Sequence, residues 1–166
     1  MGKAEDIKSF VEDAFVRLMG TAFPTDLRIT LCTEQEFRTL APHRGVIGLS
    51  FNRHKSGMVS EIFVLEGSLG RVLLTVGHEI GHVLSHSLTH KALEEAKAYA
   101  FSFAWMDVIK EHNIAGLGNA LVTELPAVNG VHDKGFEVVV RGLKSGKRAW
   151  NVYEEIVANE LEMLMG

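Results

Sequence analysis

"SEIFVLEGSLGRVLLTVGHEIGHVLSH", residues 60–86, changes its period part-way along. Up to Gly67 it is a run rich in apolar residues, of the kind that forms a short strand, and the glycine ends it. From Arg71 the apolar positions recur at helical spacing, which predicts a helix from about Arg71 to Ser87. The elements on either side have to be arranged around this passage from strand to helix.

Working back toward the N-terminus, "GVIGLSFN" has strand character, and "DLRITLCTEQEF" alternates Leu27, Ile29 and Leu31 against polar neighbours, as a half-buried strand does. Ahead of them, Ile7, Phe10, Val11, Ala14, Phe15 and Leu18 mark one face of an amphipathic helix that stops at Gly20, before Pro24. Working forward, a second helix from about Lys91 to Glu111 is rich in alanine and aromatic residues. Beyond Gly116 the chain reads as loops around short helical pieces. Within it "HDKGFEVVVRGLKSG" reads either as a helix capped by Asp133 or, over Val138 to Val140, as a strand, with the cap favouring the helix, and "WNVYEEIVANELEMLM" as a last helix that covers the protein's own core. A sheet followed by helices is an α+β arrangement, expected as one domain over residues 1–166.

Composition narrows the class of function. The 17 lysines and arginines against 21 acidic residues leave a formal charge of −4, without the basic excess that nucleic acid or anionic membranes favour. No apolar run is long enough to span a bilayer, and the charged N-terminal stretch does not resemble a signal peptide. The one cysteine, Cys32, excludes an internal disulfide and reads as a buried, inert thiol, so the expected location is the cytoplasm.

The chemistry is concentrated in His78, Glu79 and His82, an H-E-x-x-H on the predicted helix. One helical turn stacks the two imidazoles on one face about 6 Å apart along the axis, from where both can reach one Zn²⁺. Glu79 then stands beside the metal, placed to take a proton from the attacking water. The bland reading, two solvated histidines on a helix face, does not explain the glutamate between them.

Two more histidines continue the four-residue rhythm at His86 and His90. On an unbroken helix the Cα of His86 stands about 12 Å from that of His78, too far to share an ion, and His90 falls at the turn between helices. The metzincin extension needs glycine at 85 and histidine at 88, where this chain has Ser85 and Leu88. The remaining source of a third ligand is a carboxylate on the next helix, Glu94 or Glu95. Both lie in line with mostly apolar residues, so periodicity does not choose between them, and the one that is not the ligand is expected to be a solvated first-turn carboxylate.

"IFVLEGSLGRVLLTVGHEIGHVLSH" followed by "EEAKAYAFSFA" resembles the small gluzincin metallopeptidases of the ImmA/IrrE type and the archaeal minigluzincins, over about residues 60 to 104. The resemblance implies a zincin-like fold, with a small mixed sheet whose edge strand lies above the metal. It implies Zn²⁺ as cofactor and Glu95, which opens E-A-x-x-[FY]-A with Ala96, Tyr99 and Ala100, as third ligand beside His78 and His82. It further implies zinc-dependent hydrolysis of a peptide or protein substrate, with Glu79 as general base. The strand "SEIFVLEG" is the expected exposed edge, to which an extended peptide could add. His112, His132, Tyr99 and Tyr153 can each donate to a developing oxyanion, and His132 is the residue we select. The other reading is a latent or non-catalytic, zinc-stabilised peptide-binding module. Gly81 is expected to let another element pass close over the active helix.

Overall fold

The computed structural model describes the backbone of residues 4–118 and 130–165, and the side chains of residues 4–118 and 134–159. Helix α1 (Ala4–Met19) turns Ile7, Val11, Ala14 and Phe15 inward. Gly20 ends it at φ 71°, with its N–H on the Val16 carbonyl, a conformation that glycine adopts without steric cost.

Strands β1 (Leu27–Cys32), β2 (Gly48–Phe51) and β3 (Ser60–Leu65) form a mixed sheet in the order β1-β3-β2. β1 runs parallel to β3 with Leu27 opposite Ser60; β2 runs antiparallel with Gly48 opposite Val64. The strand "SEIFVLEG" is therefore not the edge. It is the central strand, because the turn after β2 folds β2 back onto one side of it and β1 pairs with the other. The edge that borders the H-E-x-x-H helix is β2.

The stretch after Cys32 is also not strand. Thr33 caps helix α2 (Glu34–Leu40): its hydroxyl accepts from the Glu36 N–H at 3.3 Å, and the Glu36 carboxylate accepts from the Thr33 N–H at 2.9 Å. This reciprocal box satisfies two amides that a helix start leaves open, and it overrides the alternation read from Leu27 onward. α2 lowers Phe37 onto Cys32, Ala41 and Leu65 in a small apolar cluster of its own. Cys32 is 4 % exposed, and burial pushes its thiol pKa up, as an inert core cysteine requires.

The larger core joins Ile62 and Val64 of β3 to the helices. Helix α3 (Leu69–Val83) is capped by Ser68, whose side chain accepts from the Arg71 N–H, and contributes Val72, Leu73, Val76 and Ile80. It ends at Val83, one turn short of the Ser87 expected from periodicity. Helix α4 (Lys91–Glu111) is enclosed by α1, α3, helix α5 (Gly130–Lys144) and helix α6 (Ala149–Met165). Its buried residues run round the whole circumference, which is why an amphipathic stripe could not choose between Glu94 and Glu95. α5 begins at Gly130, so Asp133 lies inside the helix and not at the N-cap position expected of it. α6 does cover the chain's own core, through Val152, Tyr153 and Ile156. The described residues thus make six α-helices and one three-stranded mixed sheet, an α+β arrangement. Among them no helix is long and apolar enough to cross a membrane.

Candidate metal centre

The sequence "GHEIGH" repeats glycine-histidine at helical spacing, and the two residue types do different work at one interface. A Cβ on Gly77 would stand 2.4 Å from Cδ1 of Trp105, and one on Gly81 would stand 2.7 Å from Cα of Ala98. Both distances are below any real contact, so the absence of side chains is what lets α4 lie close over α3, as expected of Gly81. Trp105 fills the groove over Gly77, and its indole N–H donates to the Leu73 carbonyl at 3.0 Å. His78 and His82, each one residue along from a glycine, are brought against the first turns of α4.

There they meet Glu95. Nε2 of His78 lies 3.5 Å from Oε2 of Glu95, and Nε2 of His82 lies 3.6 Å from Oε1. One donor atom from each of His78, His82 and Glu95 falls within 4.8 Å of the others, and this is the group among the described residues that could hold a metal ion. Ligands bound tetrahedrally at about 2.0–2.1 Å stand roughly 3.3 Å apart, close to the two imidazole–carboxylate spacings, which run to different oxygens of Glu95. The imidazoles meet edge-on with centroids 4.9 Å apart, and Tyr99, one turn beyond Glu95, packs against His78 at 4.8 Å.

Glu94 is not the solvated carboxylate expected of the residue that loses the choice of ligand. Its side chain is 17 % exposed, and its Oε2 accepts from Nδ1–H of His82 at 2.5 Å. Oε1 accepts from the Leu88 N–H at 2.9 Å and from Nζ of Lys97 at 2.8 Å. A carboxylate on Nδ1 fixes the tautomer that leaves Nε2 free for a metal. Burial alone would push the Glu94 pKa up, but the His82 hydrogen bond, the Lys97 ammonium and the Leu88 amide outweigh it and hold it down. For His82 burial lowers the pKa, and Glu94, Glu79 and Glu95 together reverse this and raise it. The signal for Glu94 in the sequence was a lysine three residues on, in an otherwise small and apolar stretch, pairing with it across one turn.

The early end of α3 has a long-range cause. Asn52, in the turn after β2, donates to the carbonyls of His82 at 3.1 Å and Ser85 at 2.7 Å, and the His54 ring bonds the Val83 carbonyl. Lys97 donates to the carbonyls of His82 and His86, both at 3.1 Å. The His82 and Val83 carbonyls are among those a helix end leaves without partners, and those of Ser85 and His86 belong to the turn that follows. His86 accordingly lies beyond the helix. The straight-helix distance used to set it aside does not apply, yet it stays outside the group of three donors, with Nε2 buried and unpartnered among the described residues. His90 has a structural role as the N-cap of α4, its Nδ1 accepting from the Leu93 N–H at 3.4 Å.

Glu79 is 8 % exposed and faces the sheet edge: a Cβ on Gly48 of β2 would stand 2.8 Å from its Oε1. The missing side chain is what admits the carboxylate between helix and strand. Beyond Gly48, the residues Ser50 to Arg53 line a cleft of about 340 Å³ with His82, Ser87 and Glu94. Of the four oxyanion candidates, His112 and Tyr153 bond other partners, Tyr99 packs against His78, and the side chain of one is undescribed. His112 caps the far end of α4 and bonds Arg17; the Tyr153 hydroxyl donates to Oγ of Ser85 at 2.9 Å. Tyr99 is packed between His78 and Phe136. The side chain of His132, the residue selected from the sequence, lies outside the described residues.

No protein-family model, curated protein or solved structure matches the chain. The chemistry of the centre therefore rests on its own donors. Two imidazoles and a carboxylate, with a buried second carboxylate alongside, form a set that can bind a divalent ion and leave a coordination position open.

Proposed function

We propose that the protein is a zinc-dependent peptidase of the small gluzincin kind, with a zincin-like fold. The observation that carries this reading is the convergence of His78, His82 and Glu95 within 4.8 Å, with Glu79 buried one residue from a ligand. Three protein ligands, with the fourth position left for water or substrate, make up a catalytic zinc set; structural zinc sites use four. The intact glutamate weighs the same way, since a structural ion has no use for a general base.

When bound, zinc polarises the scissile carbonyl and lowers the pKa of water at the open position toward about 7. The protein's own groups supply the rest. His78, His82 and Glu95 hold the ion, and Glu94 keeps Nε2 of His82 directed at it. Glu79 takes the proton from the attacking water as the new C–O bond forms, then delivers it to the amide nitrogen as the C–N bond breaks. An extended substrate adds to the outer edge of β2, which pairs with no second strand among the described residues, through main-chain hydrogen bonds beside the cleft at Ser50 to Arg53.

The test is metal analysis of the purified protein with a protein-hydrolysis assay on the parent, Glu79→Gln and Glu95→Ala. The expected result is about one zinc per chain in the parent and in Glu79→Gln, with hydrolysis lost by about 10²–10⁴-fold in the latter. Glu95→Ala is expected to lose the zinc. Undiminished hydrolysis by Glu79→Gln would overturn the mechanism. Zinc-loaded parent without hydrolysis would favour the non-catalytic module.

A further inference from the structure

Lys97 is completely buried in α4, at 0 % exposure, which is rare for lysine and costly unless its charge is used. Its ammonium donates to Oε1 of Glu94 at 2.8 Å, the His82 carbonyl at 3.1 Å and the His86 carbonyl at 3.1 Å. Two of these contacts bear on one residue. The lysine holds the backbone of His82 directly and, through Glu94, holds its imidazole at Nδ1.

We infer that Lys97 is a positioning residue of the metal centre: with Glu94 it grips His82 at both carbonyl and ring, keeping Nε2 turned toward Glu95. Without the ammonium, Glu94 is a buried carboxylate with one cationic partner fewer, free to leave Nδ1 for solvent at the cleft it lines. The ring then loses its fixed tautomer and its direction. The inference rests on the metal-binding reading of His78, His82 and Glu95 and is independent of whether the protein hydrolyses peptides.

The test uses Co²⁺ as probe, on the full chain, measuring affinity by chelator competition, the visible absorption of the bound ion, and folding by circular dichroism. Lys97→Met is expected to fold, to bind Co²⁺ about 10–100-fold more weakly and to shift the absorption band. Glu94→Gln should behave alike, and the double variant should be no weaker than the weaker single one, because the two residues act as a unit. A folded Lys97→Met with the parent's affinity and band would overturn the inference while leaving the metal centre standing. Absence of Co²⁺ binding by the parent would overturn both. Should Lys97→Met fail to fold, Lys97→Gln, which keeps a donor for the carbonyls without the charge that holds Glu94, decides: a folded Lys97→Gln with the parent's affinity and band would sink the idea.

Discussion

Gly48 carries no side chain, and Thr75 and Glu79 occupy the space where one would be: an added Cβ would meet Cγ2 of Thr75 at 2.5 Å and Oε1 of Glu79 at 2.8 Å. Gly48→Ala is therefore expected to displace the Glu79 carboxylate and lower kcat by about 10–100-fold, since a shift near 1 Å can cost that much, with zinc content unchanged. Unchanged kcat with full zinc would separate Glu79 from the catalytic step. Tyr153 allows a prediction away from the metal. Burial, opposed by its bond to Ser85, pushes its pKa from 10.0 up to about 12, so the folded state holds the phenolic proton where the unfolded chain releases it. Stability from this group is full below pH 10 and declines as pH rises toward 12, by at most about 3 kcal/mol at roughly 1.4 kcal/mol per pH unit. Urea denaturation across that range should show the decline in the parent and a shallower one in Tyr153→Phe; parallel curves would refute it. At this scale two of the three donors that converge, His78 and His82, were readable from spacing alone. The role of Glu94 was not, because it depends on Lys97 and Leu88 converging around it in the folded molecule.

For whole elements, what the sequence conveyed depended on how local the cause was. α1 and α6 follow from periodicity and α4 from its alanine-rich composition, and the close approach of α4 followed from Gly81. α2 was missed although its capping box, Thr33 with Glu36, is written in four consecutive residues; the alternation before it masked the signal. The end of α3 and the position of β3 inside the sheet were out of reach for a different reason. Asn52 and His54 close the helix from about 30 residues upstream, and the pairing of β1 with β3 joins segments separated by a helix and a strand. The glycine contacts give a test at this level. Gly81→Ala pushes a methyl into the Ala98 backbone, which cannot yield as a side chain can, and should destabilise the fold by about 1–3 kcal/mol. Gly57→Ala, with open space around it but a φ of 62°, serves as a control for backbone strain without overpacking. Equal stability of Gly81→Ala and the parent in urea denaturation would mean that α3 and α4 are not so tightly apposed.

For the molecule as a whole, an ion bound only by the native state adds to its stability by mass action. At free zinc a hundredfold above Kd the gain is about 2.7 kcal/mol, worth roughly 5–10 °C in Tm for a chain of this size. Stripping the protein with a chelator and melting it with and without added zinc measures the gain; identical melting curves would exclude a native-state metal site. The turn after β2 adds a consequence of another kind. Asn52 and His54 sit at the end of the free sheet edge and also hold the carbonyls of His82 and Val83. Whatever pairs with that edge and orders the turn also orders the helix end that presents His82. On the proposed reading the two binding events would share a coupling free energy, and thermodynamic linkage would make it reciprocal: metal would tighten the hold on a peptide by the same factor by which the peptide tightened the hold on metal.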